Sequence, residues 1–140
     1  MTPDSPADPP RKKPESFRGR ALAASLTVKD IRKSVAWYRD IVGFIVEQEY
    51  EREGILRAVA LKAGAVQILV TADDGTKGID RVKGEGFSLQ ITTAQSIDEL
   101  ASWIKERGGT LAAEPVDAWG ARVFRLKDPD GFNLVISSER

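Results

Sequence analysis

From residue 21 onward, apolar and polar side chains alternate along much of the chain, which is the pattern of half-buried β-strands. The strongest signal lies in residues 121–138, where a turn at Asp128–Gly131 separates two runs of β-branched and aromatic residues. A weaker copy of this hairpin occupies residues 55–71. Further single strands are predicted over residues 21–28, 44–51, 87–92 and 111–116.

Two other segments space their apolar residues as a helix does. The first is capped by Asp30 and stops at Gly43. The second opens with Ser96 and Glu99 in a capping box and stops at Gly108. Each helix follows one strand and precedes three, so the predicted order of elements is β-α-β-β-β, written twice.

The two halves of the chain align with each other. Residues 25–28 match residues 88–91, and Trp37 matches Trp103 at nearly the same offset. The sequence therefore predicts an α+β fold of two tandem βαβββ modules. The expected layout is a single domain over 20–140, with modules at about 20–71 and 86–138 and a polar, glycine-rich linker at 72–85. One face of each sheet would pack against its helix, and the other face would curve over a partner or a ligand.

Residues 1–19 are rich in proline and poor in large apolar side chains. Such a segment cannot bury enough surface to offset its ordering entropy, so we expect a disordered tail. It lacks the apolar core of a signal peptide, and this favours a cytoplasmic location by default.

The amino-acid composition argues against several classes of partner and of functional site. The 21 basic and 21 acidic side chains give zero formal net charge, which argues against nucleic acid or an anionic membrane as partner. No apolar run approaches the length of a membrane span. Cysteine and histidine are absent, which excludes disulfides, thiolate nucleophiles, the commonest metal ligand and the usual acid–base group near neutral pH.

Two groups of acidic residues could suggest a metal site, but a solvated strand face and a turn are the favoured interpretations. Glu47, Glu49 and Glu51 alternate along a predicted strand, which is typical of a solvated face. Asp73 and Asp74 stand in the linker, where aspartate usually serves a turn.

Two motifs point to a known family: Leu26–Asp30 leading into Ser34–Phe44, and Trp119–Phe132. With them the chain resembles the vicinal-oxygen-chelate superfamily, which includes glyoxalase I, bleomycin-resistance proteins and extradiol dioxygenases. The resemblance covers residues 21–138. It implies two modules whose sheets curl around a cavity, usually completed by a homodimer, in which small molecules bind, often on a divalent metal.

The resemblance also implies where metal ligands would lie, on the first and last strands of each module. Those positions fall on Ala23, Gly86, Leu69 and Val135. None of these side chains can donate an electron pair to a divalent cation. Gln67 could supply one ligand after a small register error, but one ligand is not a site. We therefore expect neither metal nor cofactor.

The same strand parity predicts the lining of the cavity. Its small or apolar candidates are Ala23, Leu56, Ala58, Ala60, Leu69, Gly86, Ala121, Val123 and Val135. Its ligand-binding candidates are Ser25, Thr27, Gln67, Ser88, Gln90, Arg125 and Asn133, with Trp119 at the cavity mouth. Arg125 would meet an anionic or carbonyl ligand, or reach the rim to contact Asp128 or a partner chain. Trp119 would stack on an aromatic ligand or pack at a dimer contact.

The predicted lining rows contain no acid or base, so catalytic residues stay unassigned and enzymatic activity stays open. The favoured hypothesis is a metal-free homodimer that binds a small, partly polar organic molecule by sequestration, as the bleomycin-resistance branch does. One alternative is a lyase, isomerase or dioxygenase with metal or acid–base residues outside the usual positions. Another is a structural or regulatory dimer with a vestigial cavity. In-chain and exchanged pairing of the modules are both open.

Overall fold

Strands and helices follow one another in two copies of a βαβββ unit. The computed structural model describes residues 17–78 and 80–140, so most of the predicted N-terminal tail lies outside the described residues. The first unit contains β1 (Ala23–Val28), α1 (Ile31–Ala36) continued by a π-helical segment (Trp37–Val42), β2 (Ile45–Arg52), β3 (Ile55–Ala63) and β4 (Val66–Ala72). The second contains β5 (Ser88–Thr93), α2 (Ile97–Glu106), β6 (Ala113–Ala118), β7 (Ala121–Lys127) and β8 (Asn133–Ser138).

Each unit forms its own four-stranded sheet. The strand orders are β1-β4-β3-β2 and β5-β8-β7-β6. In each sheet the first strand runs parallel to the last, and the other neighbours are antiparallel. The sheets are curved and open. The predicted fold of two tandem βαβββ modules is confirmed.

Helices cover one face of each sheet. α1 contacts β3 and β4, and α2 contacts β6, β7 and β8. The buried apolar side chains between helices and sheets form one cluster that runs through both modules, with Tyr38, Ile104 and Phe124 among its fully buried members. The opposite face of each sheet is left available for other contacts.

Local signals set the helix ends. The Asp30 carboxylate accepts a hydrogen bond from the backbone N–H of Lys33 at 3.1 Å, and the Ser96 hydroxyl accepts one from Glu99 at 3.3 Å. Gly43 ends the first helical segment with φ of 105°. A Cβ at Gly43 would lie 2.9 Å from the Trp103 ring on α2, so glycine also permits close approach of the two modules.

A buried carboxylate joins the two modules. Asp128 is 5% exposed, and its Oδ2 accepts a hydrogen bond from the Tyr38 hydroxyl at 2.9 Å. Its Oδ1 accepts from the backbone N–H groups of Asp130 and Phe132, at 2.9 and 2.8 Å. Burial raises the pKa of both Asp128 and Tyr38. A hydrogen bond therefore connects the turn between β7 and β8 of the second module to the helical segment of the first.

The segment between the modules packs against this junction. Lys83 Nζ contacts Asp73 Oδ2 at 2.8 Å and Asp130 Oδ2 at 3.5 Å, and it donates to the Thr27 carbonyl at 2.9 Å. Asp73 and Asp74 also accept hydrogen bonds from backbone N–H groups two residues ahead. Both aspartates therefore serve a turn, as the sequence favours.

Leu56 departs from the predicted pattern. It was expected to line the cavity, but it is 7% exposed and belongs to the core cluster. The pairing of β2 with β3 shifts register between Tyr50 and Glu51, directly opposite Leu56. Strand alternation does not hold across such a bulge, and this explains the misplacement.

The substitution Tyr38→Phe removes the buried hydroxyl that Asp128 accepts from. We expect the free energy of unfolding to fall by about 1–3 kcal/mol, measured by urea denaturation at fixed protein concentration. Thr110→Val is the control, because it removes an exposed loop hydroxyl of similar size and should change stability by less than about 0.5 kcal/mol. Equal effects of the two substitutions would contradict this role for Asp128.

The Lys83–Asp73 contact should make stability depend on pH. The hydrogen bond from Lys83 lowers the pKa of Asp73 below its ordinary 3.8, so the stabilisation exists above that pH and is lost as the pH falls through the lowered pKa. We expect Lys83→Met to lower Tm at pH 7 and the difference from the unmodified protein to shrink under acid conditions. Lys105→Met, which removes an exposed ion pair to Glu114, should have little effect at either pH. A Lys83→Met deficit that is independent of pH would refute the assignment.

Candidate functional site

A cleft of about 600 Å³ lies between the edge strands of the two sheets, β1 and β5. This volume is within the range of small-molecule sites. Both modules contribute walls. The lining residues are Leu22, Ala23, Ala24, Ser25, Ala65, Val66, Gln67, Ile68, Phe87, Ser88, Leu89, Gln90 and Ile91.

The chemistry of the lining is that of hydrogen bonding and apolar contact. Ser25 and Gln67 come from the first module, and Ser88 and Gln90 from the second. The sequence predicted all four as ligand-binding residues, and the structure brings them together. Within the described part of the chain, no lining residue carries a titratable side chain. The cleft can orient a ligand, but its walls supply no acid or base.

Strand pairing explains why these residues meet. In the first sheet Ala23 pairs with Gln67, and Ser25 pairs with Leu69. In the second sheet Gln90 pairs with Val135. Paired residues point to the same face of a sheet, so these polar groups and their neighbours form rows across the face that carries no helix.

The other predicted binding residues lie outside the cleft. The Thr27 hydroxyl is 3.2 Å from the Thr71 hydroxyl on the neighbouring strand. The Asn133 amide donates to the carbonyls of Gly84 and Phe87, at 3.4 and 3.3 Å. Asn133 thereby fixes the backbone that leads into β5 and the cleft wall. The direct binding roles proposed for these two residues stay predictions.

Trp119 and Arg125 are both exposed. Trp119 is 90% exposed in the turn between β6 and β7, at the opposite edge of its sheet from the cleft, and its φ is 55°. Arg125 lies on β7, and within the described residues it makes no contact with Asp128, which was one of its open alternatives, while Asp128 accepts from Tyr38 on the helix side. Neither residue lines the cleft, so their roles toward a ligand also stay predictions.

Two residues of the cleft are missing from the predicted lining. Alternation places Leu22 and Phe87 on the opposite side of their strands from that lining. In the structure they precede β1 and β5, are 91% and 49% exposed, and line the cleft. The signal that marks them is a large apolar residue directly before a strand, where the alternation rule no longer applies.

The positions that would carry metal ligands hold unsuitable side chains. Ala23 lines the cleft, Gly86 precedes β5, and Leu69 and Val135 lie on β4 and β8. Among residues 17–78 and 80–140, no group of three or more acidic side chains is placed to hold a metal ion. The side chains at these positions do not fit a divalent cation.

No helix of the described chain has both the length and the apolar character needed to cross a membrane.

The model of the Glyoxalase/Bleomycin resistance protein/Dioxygenase superfamily matches residues 20–136. No curated protein matches the sequence. Among solved structures, TnmS3, an antibiotic binding protein from Streptomyces sp. CB03234, is 18% identical with a TM-score of 0.71, over 90% of this chain and 100% of that chain. TioX from Micromonospora sp. ML1 is 18% identical with a TM-score of 0.68, over 87% and 100%.

A third structure comes from Sphaerobacter thermophilus DSM 20745 and is a member of the same superfamily. It is 23% identical with a TM-score of 0.63, over 87% of this chain and 98% of that chain. At these identities the three likenesses show a common fold.

Because the cleft lining does not fit a divalent cation, the stability of the protein should not respond to chelators. We expect EDTA to leave the Tm of the purified protein unchanged, and elemental analysis to find divalent metal far below one ion per chain. A stoichiometric metal whose removal lowers Tm would show that ligands exist outside the expected positions.

Proposed function

The chain belongs to the Glyoxalase/Bleomycin resistance protein/Dioxygenase superfamily, and on this basis we propose that it is a small-molecule binding protein. The ligand is a partly polar organic molecule, held without metal in a cavity of a homodimer. Binding sequesters the molecule and leaves it chemically unchanged.

The chemistry of the cleft walls carries this proposal. Ser25, Gln67, Ser88 and Gln90 provide hydroxyl and amide groups, each able to donate and accept hydrogen bonds. Catalysis would require an acid, a base or a metal within reach of the reacting atoms. The cleft walls supply binding groups alone, and this favours sequestration over turnover.

The division of the walls between modules supports selective binding. The apolar part of a ligand would pack against residues such as Leu22 and Phe87, which are 91% and 49% exposed in the single chain. Its polar part would meet hydrogen-bonding groups from both sheets. A buried polar group left without a partner costs about 1–3 kcal/mol, so these groups would discriminate against ligands that lack matching atoms.

Exposed apolar residues on the faces without helices support the homodimer. Ile45 and Tyr50 on β2 and Val116 on β6 are each at least half exposed. Tyr50 pairs with Ala58 and Val116 with Val123, whose side chains point away from the helices. A second copy of the chain would cover these residues and close the cavity.

The likeness to an antibiotic binding protein agrees with sequestration. TnmS3 shares the fold over nearly its whole length, and its described role is binding. The same fold in this chain, with a cleft that offers binding groups, favours a comparable mode of action on a ligand of its own.

A thermal-shift screen of small organic molecules tests the proposal, with Ser88→Trp as the blocking variant. Compounds that raise Tm should bind the unmodified protein and lose most of their shift in Ser88→Trp, because the indole fills the cleft. Thr92→Trp is the matched control, since Thr92 is exposed on the same strand and the same face but does not line the cleft.

Mass spectrometry of the bound compound after incubation separates binding from catalysis. Sequestration predicts recovery of the unaltered compound. A chemically altered product would favour the enzyme alternative. A screen without any stabilising compound, or equal shifts in the two tryptophan variants, would overturn the proposal.

A further inference from the structure

Two cations lie on the face of the second sheet that carries no helix. Arg125 and Lys127 alternate along β7 with Phe124 and Leu126, which are buried in the core. Successive side chains of a strand point to opposite faces, so both cations point away from the helices. Within the described residues, neither side chain makes a hydrogen bond or an ion pair.

Two other arginines of the chain have a structural role, in which the guanidinium forms ion pairs with carboxylates of the same chain. Arg122 on the same strand contacts Asp98 at 3.0 Å and Asp117 at 3.2 Å, and it thereby ties α2 to the sheet. Arg39 contacts Asp40 at 2.8 Å. Arg125 has no such carboxylate, so its guanidinium is available to a group from outside the chain.

Arg125 shares a row with a residue of the cleft. Gln90 pairs with Val135, and Val135 pairs with Arg125. Neighbouring strands lie about 4.8 Å apart, so the Cα atoms of Gln90 and Arg125 are separated by about 10 Å across the same face. A ligand that begins in the cleft and extends along this row would bring its far end to the guanidinium.

The repeat shows that the fold does not require this arginine. The corresponding row of the first module runs from Ser25 through Leu69 to Ala60. A methyl group therefore stands in the first sheet where the second carries a guanidinium. Because the two sheets have the same strand order and pairing, Arg125 is a departure from the repeat that folding alone does not explain.

We propose that the ligand is an organic carboxylic acid, whose apolar body lies in the cleft and whose carboxylate is bound by Arg125. This inference rests on the proposed binding function. A guanidinium offers two parallel N–H donors that match a carboxylate, and hydrogen bonds between charged groups are stronger than neutral ones. Lys127 adds positive charge on the adjacent row and favours the same sign of ligand.

Two probes of nearly the same shape test the charge preference: naphthalene-2-carboxylate and naphthalene-2-carboxamide. Their affinities are measured by isothermal titration calorimetry for the unmodified full-length chain, Arg125→Gln and Arg57→Gln. Arg57→Gln is the matched control, because Arg57 is an exposed arginine of the first sheet and its loss changes net charge equally. Near-UV circular dichroism confirms that each variant is folded.

The unmodified protein should bind the carboxylate about tenfold more tightly than the carboxamide. Arg125→Gln should lose about tenfold in affinity for the carboxylate with little change for the carboxamide, and Arg57→Gln should alter neither. Arg125→Lys should recover part of the lost affinity, since it restores the charge without the paired donors.

Failure of this inference is distinct from failure of the proposed function. Equal affinities of the two probes, unchanged in Arg125→Gln, would refute the carboxylate while leaving binding in the cleft intact. Parallel losses in Arg125→Gln and Arg57→Gln would refute a specific role and indicate a general charge effect. Absence of carboxylate binding to the unmodified protein would refute this inference, and the proposed function would then be decided by the thermal-shift screen alone.

Discussion

The arrangement of the two modules depends on one buried carboxylate. Asp128 accepts hydrogen bonds from Tyr38 in the first module and from two backbone N–H groups of its own turn. Separating the modules would leave the carboxylate without the tyrosine, at the cost of a buried hydrogen bond to a charged group. The contact between Lys83 and Asp130 reinforces the same junction from the connecting segment. Together with the apolar cluster that runs through both modules, these contacts hold the two sheets in their relative position.

The location of the cleft follows from this junction. The helices pack on one face of each sheet, and the edge strands β1 and β5 are left to flank an opening. The walls present short side chains and hydrogen-bonding groups, while the charged residues Arg125 and Lys127 stand farther out on the second sheet. The nearly buried ionic contacts lie at the module junction and the neutral polar groups lie in the cleft, which suits the binding function that we propose.

Local patterns in the sequence predicted most of the fold. Asp30, Gly43 and Ser96 mark helix ends by side-chain and backbone chemistry that acts within a few residues. The repeat and the strand alternation also placed the four polar cleft residues. No local pattern predicted the hydrogen bond between Tyr38 and Asp128, because the partners are distant in sequence. Taken separately, each residue fits an ordinary local role. The sequence pattern misplaced Leu56, which lies at a bulge, and Leu22 and Phe87, which precede strands, because the orientation of these residues depends on tertiary contacts.

Native mass spectrometry of the protein purified without added ligand tests whether the cleft binds a small molecule without metal. We expect a non-covalent adduct with the mass of a small organic molecule, which is released intact on denaturation. We also expect the adduct to be lost when Ser88→Trp blocks the cleft. An adduct with the mass of a divalent metal ion, retained at one per chain and removed by chelator, would overturn metal-free binding.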